Sequence, residues 1–253
     1  CYHNDNFDQV KAKADALRII RDDLAHKAKV GVVATGSMSD PYNPFERELQ
    51  LTRCALALID AYQCGVAVAT KSGLIARDID LYQSIQEHSP VICKLTVTTT
   101  DDVLAAKLEP HAPPPSQRLE ALEQLSRAGV FAGVLLMPVL PFVEDFRENV
   151  LSVVDCAARA GAKFVYAAFG VTMRDGQRDY FLSGLDRAFP EQGLGERYRK
   201  RYGTRYYCPS PQTRELWELF SRRCLELGVL YEMRHIISAA TRSYKDRQLS
   251  FFD

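Results

Sequence analysis

The chain has 253 residues and a mass of 28.5 kDa, enough for one large domain or two small ones. With 47% hydrophobic and 25% charged residues, its composition excludes a disordered, collagen-like or coiled-coil protein. Basic and acidic residues number 32 each, which excludes a surface covered with phosphate-neutralising charge. The longest apolar run, residues 130–143, is too short to span a bilayer and is interrupted by prolines. The sequence shows no charged-then-apolar pattern of a secretion leader. We therefore expect a soluble cytoplasmic protein with no membrane partner.

Seven cysteines are scattered at wide intervals, at positions 1, 54, 64, 93, 156, 208 and 224. No pair has the spacing of a zinc site, and several fall in apolar runs, so we expect reduced and mostly buried thiols. The chain begins at Cys1 instead of a methionine. We therefore expect that the natural protein has residues upstream.

Short apolar segments alternate with amphipathic ones over the first two thirds of the chain. The segments 30–35, 66–70, 91–97, 131–137 and 164–169 predict strands buried on both faces. Apolar residues at three- and four-residue spacing predict helices over 8–27, 47–62, 77–88, 116–128 and 146–159, with Ser116 as a start signal. This alternation indicates parallel strands joined by helices. Because no GxGxxG follows the first strand, a barrel of the triosephosphate isomerase type is favoured over a doubly wound sheet.

The alternation stops near residue 170. Helices are predicted over 175–188 and 211–227, with a Gly/Arg/Tyr-rich loop between them. The predicted fold is therefore an α/β partial parallel barrel over residues 1–172 and a helical C-terminal extension with a terminal tail over 173–253.

Polar residues follow each predicted strand, where ligands bind in parallel barrels. The loop after the first strand carries Asp40, the second strand runs into Lys71, and the third ends in threonines. This set suits a small zwitterion with hydroxyl groups, its carboxylate on Lys71 and its amine or ribose on Asp, Ser and Thr. The alternatives are that Asp101, Asp102 and Ser116 cap helices, that the prolines after the fourth strand only shape a turn, and that Lys71 forms a surface salt bridge.

Four runs carry a resemblance to a known family: SDPYNPFE, ATKSGLIARDIDL, KLTVTTTDD with LEPHAPPPSQRLEAL, and LLMPVLPFVED. In order and separation they resemble the radical S-adenosylmethionine (radical SAM) enzymes related to spore photoproduct lyase, a DNA repair photolyase-like family. The resemblance runs from about residue 7 to past residue 231. It implies a partial barrel of about six strand-helix units, of which the first strand and its cluster loop are missing from this chain.

The resemblance implies that the strand ends bind S-adenosylmethionine. The polar residues of the loop after the first strand would bind the amino group of the cofactor. Lys71 and Ser72 would bind its carboxylate, and the threonines would bind its ribose or carboxylate. Arg118 matches an arginine that opens a helix, and the prolines match a segment along the adenine. The residues so assigned are Ser39, Asp40, Pro41, Tyr42, Lys71, Ser72, Thr96, Thr98, Thr99, Arg118, Pro138 and Pro141.

The family also holds a [4Fe-4S] cluster on a CxxxCxxC triplet, and this sequence contains no such triplet. The cluster ligands are therefore expected upstream of Cys1, or the chain is a relative without the chemistry. With the cluster, the resemblance implies reduction by a flavodoxin or ferredoxin, cleavage of the cofactor and hydrogen abstraction from a substrate. No catalytic residue is assigned.

Two segments suggest partners. The stretch 197–207 interleaves arginines with tyrosines, which suits a DNA lesion, whereas the alternative is a solvated helix end with tyrosines packed inward. The tail resembles the bacterial sliding-clamp binding peptide through Gln248, Leu249, Phe251 and Phe252, whereas the alternative is a terminus folded back on the barrel.

The predicted function is thus a radical SAM enzyme acting on an unknown substrate, with damaged DNA as a candidate. Two rivals remain: a cluster-free barrel enzyme with Lys71 as a Schiff-base or anion-binding lysine, and a non-catalytic scaffold that recruits a DNA clamp.

Overall fold

A computed structural model describes residues 12–26, 31–37, 39–174 and 176–245, and the statements below concern these residues. The strands are β1 Val32–Thr35, β2 Gly65–Thr70, β3 Val91–Thr96, β4 Ala132–Leu136, β5 Phe164–Ala167, β6 Gly170–Thr172 and β7 Tyr207–Pro209. The helices of the first part are α1 Ala16–Ala25, α2 Glu46–Leu49, α3 Leu51–Ala61, α4 Ile79–Gln86, α5 Asp102–Leu108, α6 Pro115–Arg127 and α7 Arg147–Arg159. The C-terminal part adds α8 Arg178–Ala188, α9 Leu194–Tyr202, α10 Thr213–Glu226 and α11 Met233–Lys245.

The first five strands form one parallel sheet in the order β1-β2-β3-β4-β5. Helices lie between consecutive strands, as predicted. A doubly wound sheet reverses its strand order at one point, whereas a barrel adds each strand on the same side of the previous one. The unbroken order therefore favours the partial-barrel interpretation of this α/β fold.

The pairing register separates two faces of the sheet. On β3, Cys93 and Leu95 are fully buried in the main hydrophobic core, whereas Lys94 and Thr96 between them are only partly buried. Successive side chains of a strand point to opposite faces, so Lys94 and Thr96 share the face away from that core. Helices α3, α4, α6 and α7 pack on the core face.

The two edges of the sheet differ. Along β5, the Val165 amide donates to the Leu230 carbonyl (2.8 Å), and the Leu230 amide donates to the Lys163 carbonyl (3.1 Å). The chain after α10 therefore covers that edge. At the other edge β1 is partly exposed, with Val32 45% accessible, and no strand among the described residues pairs with its outer side.

Two helix boundaries differ from the sequence prediction. Helix α6 begins at Pro115 with Pro114 as its N-cap, so Ser116 is not the start of the helix. Proline is well tolerated in the first turn because its missing N–H would have no partner there. The segment predicted as one helix over 47–62 is divided into α2 and α3 at Gln50, which has a positive φ of 50°.

The C-terminal part packs around a second, smaller core. Strands β6 and β7 pair antiparallel, and α9 precedes β7 in the chain, so the prediction of a loop between two helices was wrong. Leu194, Tyr198 and Tyr202 recur every four residues and are buried, while the arginines between them are exposed. The dense charge on one face obscured this apolar stripe in the sequence.

Candidate functional site

Asp40 anchors the loop after β1 to the end of β2. Its carboxylate accepts hydrogen bonds from the Tyr42 amide (2.9 Å), the Thr70 hydroxyl (2.6 Å) and the Lys71 amide (2.8 Å). Both carboxylate oxygens therefore bond groups of the protein itself. Asp40 therefore positions the backbone of Lys71.

Tyr42 belongs to a buried polar network behind the strand ends. Its hydroxyl donates to Asp78 (2.9 Å) and shares a 2.6 Å hydrogen bond with Tyr82. Asp78, fully buried, also pairs with Arg53 and Arg77 at 2.9 and 2.8 Å. Burial alone would raise the pKa of Asp78, but the hydrogen bonds from these two arginines and Tyr42 outweigh it and hold the pKa below its ordinary value. The network stabilises the loop, and the Tyr42 side chain is enclosed in it.

A cavity of about 200 Å³ lies at the carboxyl ends of β2, β3 and β4. Lys71, Thr98, Arg118 and Pro138, four of the residues that the sequence assigned to a cofactor, line it together. Its remaining wall is mostly apolar, and Phe181 of α8 contributes from the C-terminal part. Ligands of parallel barrels bind at this end of the strands, so the cavity is the candidate binding site.

Glu109 links the two cationic residues of the cavity. Its carboxylate pairs with the Lys71 ammonium at 3.1 Å and accepts a hydrogen bond from the Arg118 guanidinium at 2.7 Å. Arg118 is 1% exposed and also donates to the carbonyls of Pro113 (2.8 Å) and Thr96 (2.9 Å). Arg118 thus holds the loop before α6 against the end of β3, and Lys71 is the cation that a ligand could reach.

Glu144 is the second acidic residue of the cavity, and sequence reasoning missed it. It is 1% exposed, and its Oε2 accepts a hydrogen bond from the Leu140 amide (3.0 Å), while its Oε1 has no hydrogen-bond partner. Burial raises the pKa of Glu144 to about 7, although the Thr98 hydroxyl and the Leu140 amide oppose the shift. Its position just after the two prolines that follow β4 was the available signal.

The other predicted residues lie around the strand ends without lining the cavity. Ser72 caps the 3₁₀ helix Gly73–Asp78 by accepting a hydrogen bond from the Leu74 amide (3.3 Å). The Thr99 hydroxyl accepts one from the Asp101 amide (3.1 Å). Ser39, Pro41, Thr96 and Pro141 are also absent from the cavity wall.

The contacts of Asp101 and Asp102 show which of the two caps a helix. Asp101 caps α5 through the amides of Val103 and Leu104, so the capping interpretation is confirmed for it. Asp102 instead accepts hydrogen bonds from the amide and hydroxyl of Ser116, at 3.0 and 2.6 Å. These contacts fasten α5 to the start of α6. The salt-bridge alternative for Lys71 is also realised, in its pair with Glu109.

A larger cavity of about 340 Å³ lies at the opposite ends of the strands. Val91, Phe131 and Lys163 at or before the starts of β3, β4 and β5 line it, together with α11. Apart from Lys163 its lining contains no charged side chain. Because barrel ligands bind at the carboxyl ends, the smaller cavity is the better candidate despite its size.

The described residues do not fit an iron-sulfur cluster. Cys93, Cys208 and Cys224 are buried on three separate elements, Cys64 is buried between α3 and β2, and Cys54 is exposed. Within the described ranges, no three His, Cys, Asp or Glu side chains are placed to hold a metal ion. The same part of the chain contains no helix with the length and apolarity needed to cross a membrane.

The basic segment divides between buried and exposed aromatic residues. Tyr198 and Tyr202 pack into the second core, as the inward-packing alternative expected, and Arg197 lies 4.4 Å over the ring of Phe142. Tyr206 and Tyr207, by contrast, are 57% and 47% exposed. The four tail residues Gln248, Leu249, Phe251 and Phe252 lie outside the described residues.

Comparison with known sequences finds relatives without a described activity. An uncharacterized protein of Mycobacterium tuberculosis is 30% identical over 209 residues, which are 82% of this chain and 60% of the relative. An uncharacterized protein of Methanocaldococcus jannaschii is 31% identical over 124 residues, 49% of this chain and 46% of the relative. The chain thus spans about 60% of the length of the mycobacterial relative. No family model matches it.

Comparison with solved structures identifies the fold. Spore photoproduct lyase complexed with dinucleoside spore photoproduct superposes with a TM-score of 0.60 at 15% identity, over 85% of this chain and 64% of that one. A mutant of the same lyase with bound AdoMet and dinucleoside spore photoproduct gives 0.57 at 16% identity, over the same shares. Over most of its length, the chain therefore has a fold similar to that of spore photoproduct lyase.

Proposed function

We propose that this chain is the S-adenosylmethionine-binding part of a radical SAM enzyme. The observation that carries the proposal is the meeting of Lys71, Thr98, Arg118 and Pro138 at one cavity. The sequence resemblance assigns the same four residues to the cofactor. The fold supports the proposal, because a spore photoproduct lyase structure of the same fold holds AdoMet.

The chemistry of the cavity fits part of this ligand. Lys71, 37% exposed, is the accessible cation for the carboxylate, and Thr98 offers a hydroxyl near it. Pro138 and Leu140 supply an apolar wall suited to the nucleoside. At about 200 Å³ the cavity is smaller than a typical site for a whole ligand of this size, so it would enclose one portion of it. When bound, S-adenosylmethionine would supply the hydrogen-abstracting chemistry, while these residues orient it and exclude water.

The cluster is not part of this site as described. Because no described cysteines converge, the proposal requires that its ligands come from residues outside the described part of the chain. The match covers 60% of the length of the mycobacterial relative, so that relative has further residues outside the matched part. If the proposal holds, a flavodoxin or ferredoxin would be the protein that reduces the cluster.

DNA is the proposed substrate class. The exposed rings of Tyr206 and Tyr207 follow Arg199, Arg201 and Arg205, which are also exposed. Aromatic faces stack on unpaired bases, and guanidinium groups contact phosphates, so this surface has the chemistry that a damaged strand requires. The dinucleoside spore photoproduct bound by the lyase of the same fold is consistent with such a substrate.

The aldolase-like rival finds less support. A Schiff-base lysine reacts as a free amine, whereas Lys71 is held in an ion pair with Glu109. The lysine whose pKa burial lowers is Lys94, in the middle of β3.

Binding of S-adenosylmethionine to the chain tests the site. Lys71→Ala should weaken binding about tenfold, because it removes a charge-assisted contact to the carboxylate. Lys200→Ala on the exposed face of α9 serves as the matched control and should bind like the wild type. Isothermal titration calorimetry measures both affinities, and circular dichroism checks the fold. Equal affinities for the two variants would remove Lys71 from the site.

The proposed activity requires a bound cluster, so it is tested on a protein that includes cysteines able to hold one. After anaerobic supply of iron and sulfide and reduction, we expect release of methionine and 5′-deoxyadenosine, and the same Lys71→Ala change should reduce it. A complete protein that binds the cofactor without cleaving it would instead support the scaffold rival.

A further inference from the structure

Lys94 is a cation on the inner face of the sheet that has no partner among the described residues. It is partly buried in the middle of β3, on the face opposite the main core. Neither an ion pair nor a side-chain hydrogen bond links it to any described residue. Burial lowers the pKa of Lys94, and the described chain places no carboxylate near enough to oppose that shift. A charge withdrawn from water without a counterion is costly, so such a lysine is typical of a site that an anion occupies.

The pairing register leaves space beside Lys94. Its partner positions are Ala69 on β2 and Gly133 on β4, so the residue on either side of it is small. Beyond Gly133 lies Phe164, and a Cβ added to Gly133 would stand 2.6 Å from the ring carbon Cγ of Phe164. Phe164 stacks on Phe131, with 5.5 Å between the ring centroids. The two rings therefore form an apolar wall at the amino-terminal end of β4, next to the row that holds Lys94.

The next row toward the carboxyl ends of the strands leads to the candidate cavity. Thr96, Leu135 and Tyr166 pair across β3, β4 and β5, and all three are partly exposed. Thr98, which lines the cavity, is four residues beyond Lys94, about 13 Å in an extended chain. Lys94 itself does not line the cavity. It therefore lies deeper on the inner face, where a group of a second molecule would be bound next to the cofactor.

We propose that Lys94 binds a singly charged anionic group of the substrate, the phosphodiester of a nucleic acid. The inference rests on the proposed function, which makes DNA the substrate class, and it adds the position at which one phosphodiester is neutralised. Lysine binds phosphate as a point charge, and one unpaired lysine matches the single charge of a diester. The small residues on either side of Lys94 leave room for the phosphate oxygens. Tyr166, one row nearer the carboxyl ends, supplies a partly exposed ring on which a base can stack.

Two dinucleotides that differ only in charge test this assignment. Thymidylyl-thymidine carries one phosphodiester charge, and its methylphosphonate analogue carries none. The wild type should bind the charged dinucleotide about tenfold more tightly, the factor of one charge-assisted contact. For Lys94→Gln the two affinities should become equal, whereas Lys94→Arg keeps the charge and should keep most of the difference. Ligand-observed NMR titration measures the affinities, and circular dichroism checks the fold of each variant.

Lys163→Gln is the matched control, because Lys163 is exposed and lies just before β5, at the opposite ends of the strands. It should retain the wild-type preference for the charged dinucleotide. An undiminished preference in Lys94→Gln, or a wild type that does not distinguish the two dinucleotides, would overturn the assignment of Lys94 and leave the cofactor site untouched. A wild type that binds neither dinucleotide would overturn both this inference and DNA as the substrate class, while the titration with S-adenosylmethionine decides the cofactor site separately.

Discussion

At the residue scale, Asp78 shows how a buried charge is stabilised. It has no solvent exposure, and Arg53, Arg77 and the Tyr42 hydroxyl surround its carboxylate. The sequence shows only two acids and an arginine in the run ARDID, with no indication of which acid is enclosed. The hydrogen-bond partner Tyr42 lies 36 positions earlier in the chain, so its contact with Asp78 forms only when the chain folds.

Asp78→Asn should destabilise the fold by about 2–3 kcal/mol, because it leaves two arginines without their buried partner. The effect is smaller than for a fully buried pair, since Arg53 and Arg77 are partly exposed. Asp80→Asn is the matched control: Asp80 also pairs with Arg53 but is 60% exposed, so we expect a loss below about 1 kcal/mol. Urea denaturation measures both. Equal losses would mean that burial of Asp78 contributes nothing.

The same pair of variants has a defined pH dependence. The pKa of Asp78 is lowered in the fold, so its contribution to stability is present above the unfolded value of about 4 and is lost as the pH falls below it. The wild type should therefore lose stability between about pH 4 and pH 2 more steeply than Asp78→Asn. Parallel acid-unfolding curves would contradict this assignment.

At the scale of elements, the Asp40 side chain connects the loop after β1 to the end of β2. Asp40→Ala removes three hydrogen bonds, of which two join this loop to the end of β2, and should cost about 1–3 kcal/mol of stability. It should also weaken S-adenosylmethionine binding, although Asp40 does not line the cavity, because the Lys71 amide loses its acceptor. Glu48→Ala on α2, which is exposed, is the control. A variant that is less stable but binds normally would show that the loop does not position Lys71.

Element boundaries show where sequence periodicity succeeds and fails. The five parallel strands lie within or one residue beyond their predicted segments, because apolar runs between amphipathic helices have few other structures available. Helix α9 was missed because its apolar positions are tyrosines inside a basic run. Tyrosine is equally compatible with a solvated surface, and only packing against the second core distinguishes the two.

At the scale of the whole molecule, the tail prediction can be tested without its structure. Deletion of residues 248–253 should abolish binding to a bacterial sliding clamp, because it removes the glutamine and aromatic residues of the docking pattern. It should leave S-adenosylmethionine binding unchanged, since the cavity residues lie far earlier in the chain. Ser250→Ala, a change inside the tail, is the control. Surface plasmon resonance with immobilised clamp measures the effect, and an intact chain that ignores the clamp refutes the prediction.

The amino-acid sequence by itself determined the alternation of strands and helices and placed Lys71, Thr98 and Pro138 at strand ends, while the resemblance placed Arg118 at the start of a helix. It could do so because apolar periodicity is local, and because parallel strands bring their carboxyl ends to one edge. Only the tertiary structure decided which polar groups remain for a ligand. Asp40 and Tyr42 bond other parts of the protein, whereas Glu144 keeps an oxygen without a partner. Hydrogen-bond partners are shared out between residues distant in the chain, so the availability of each side chain is established only when the elements pack together.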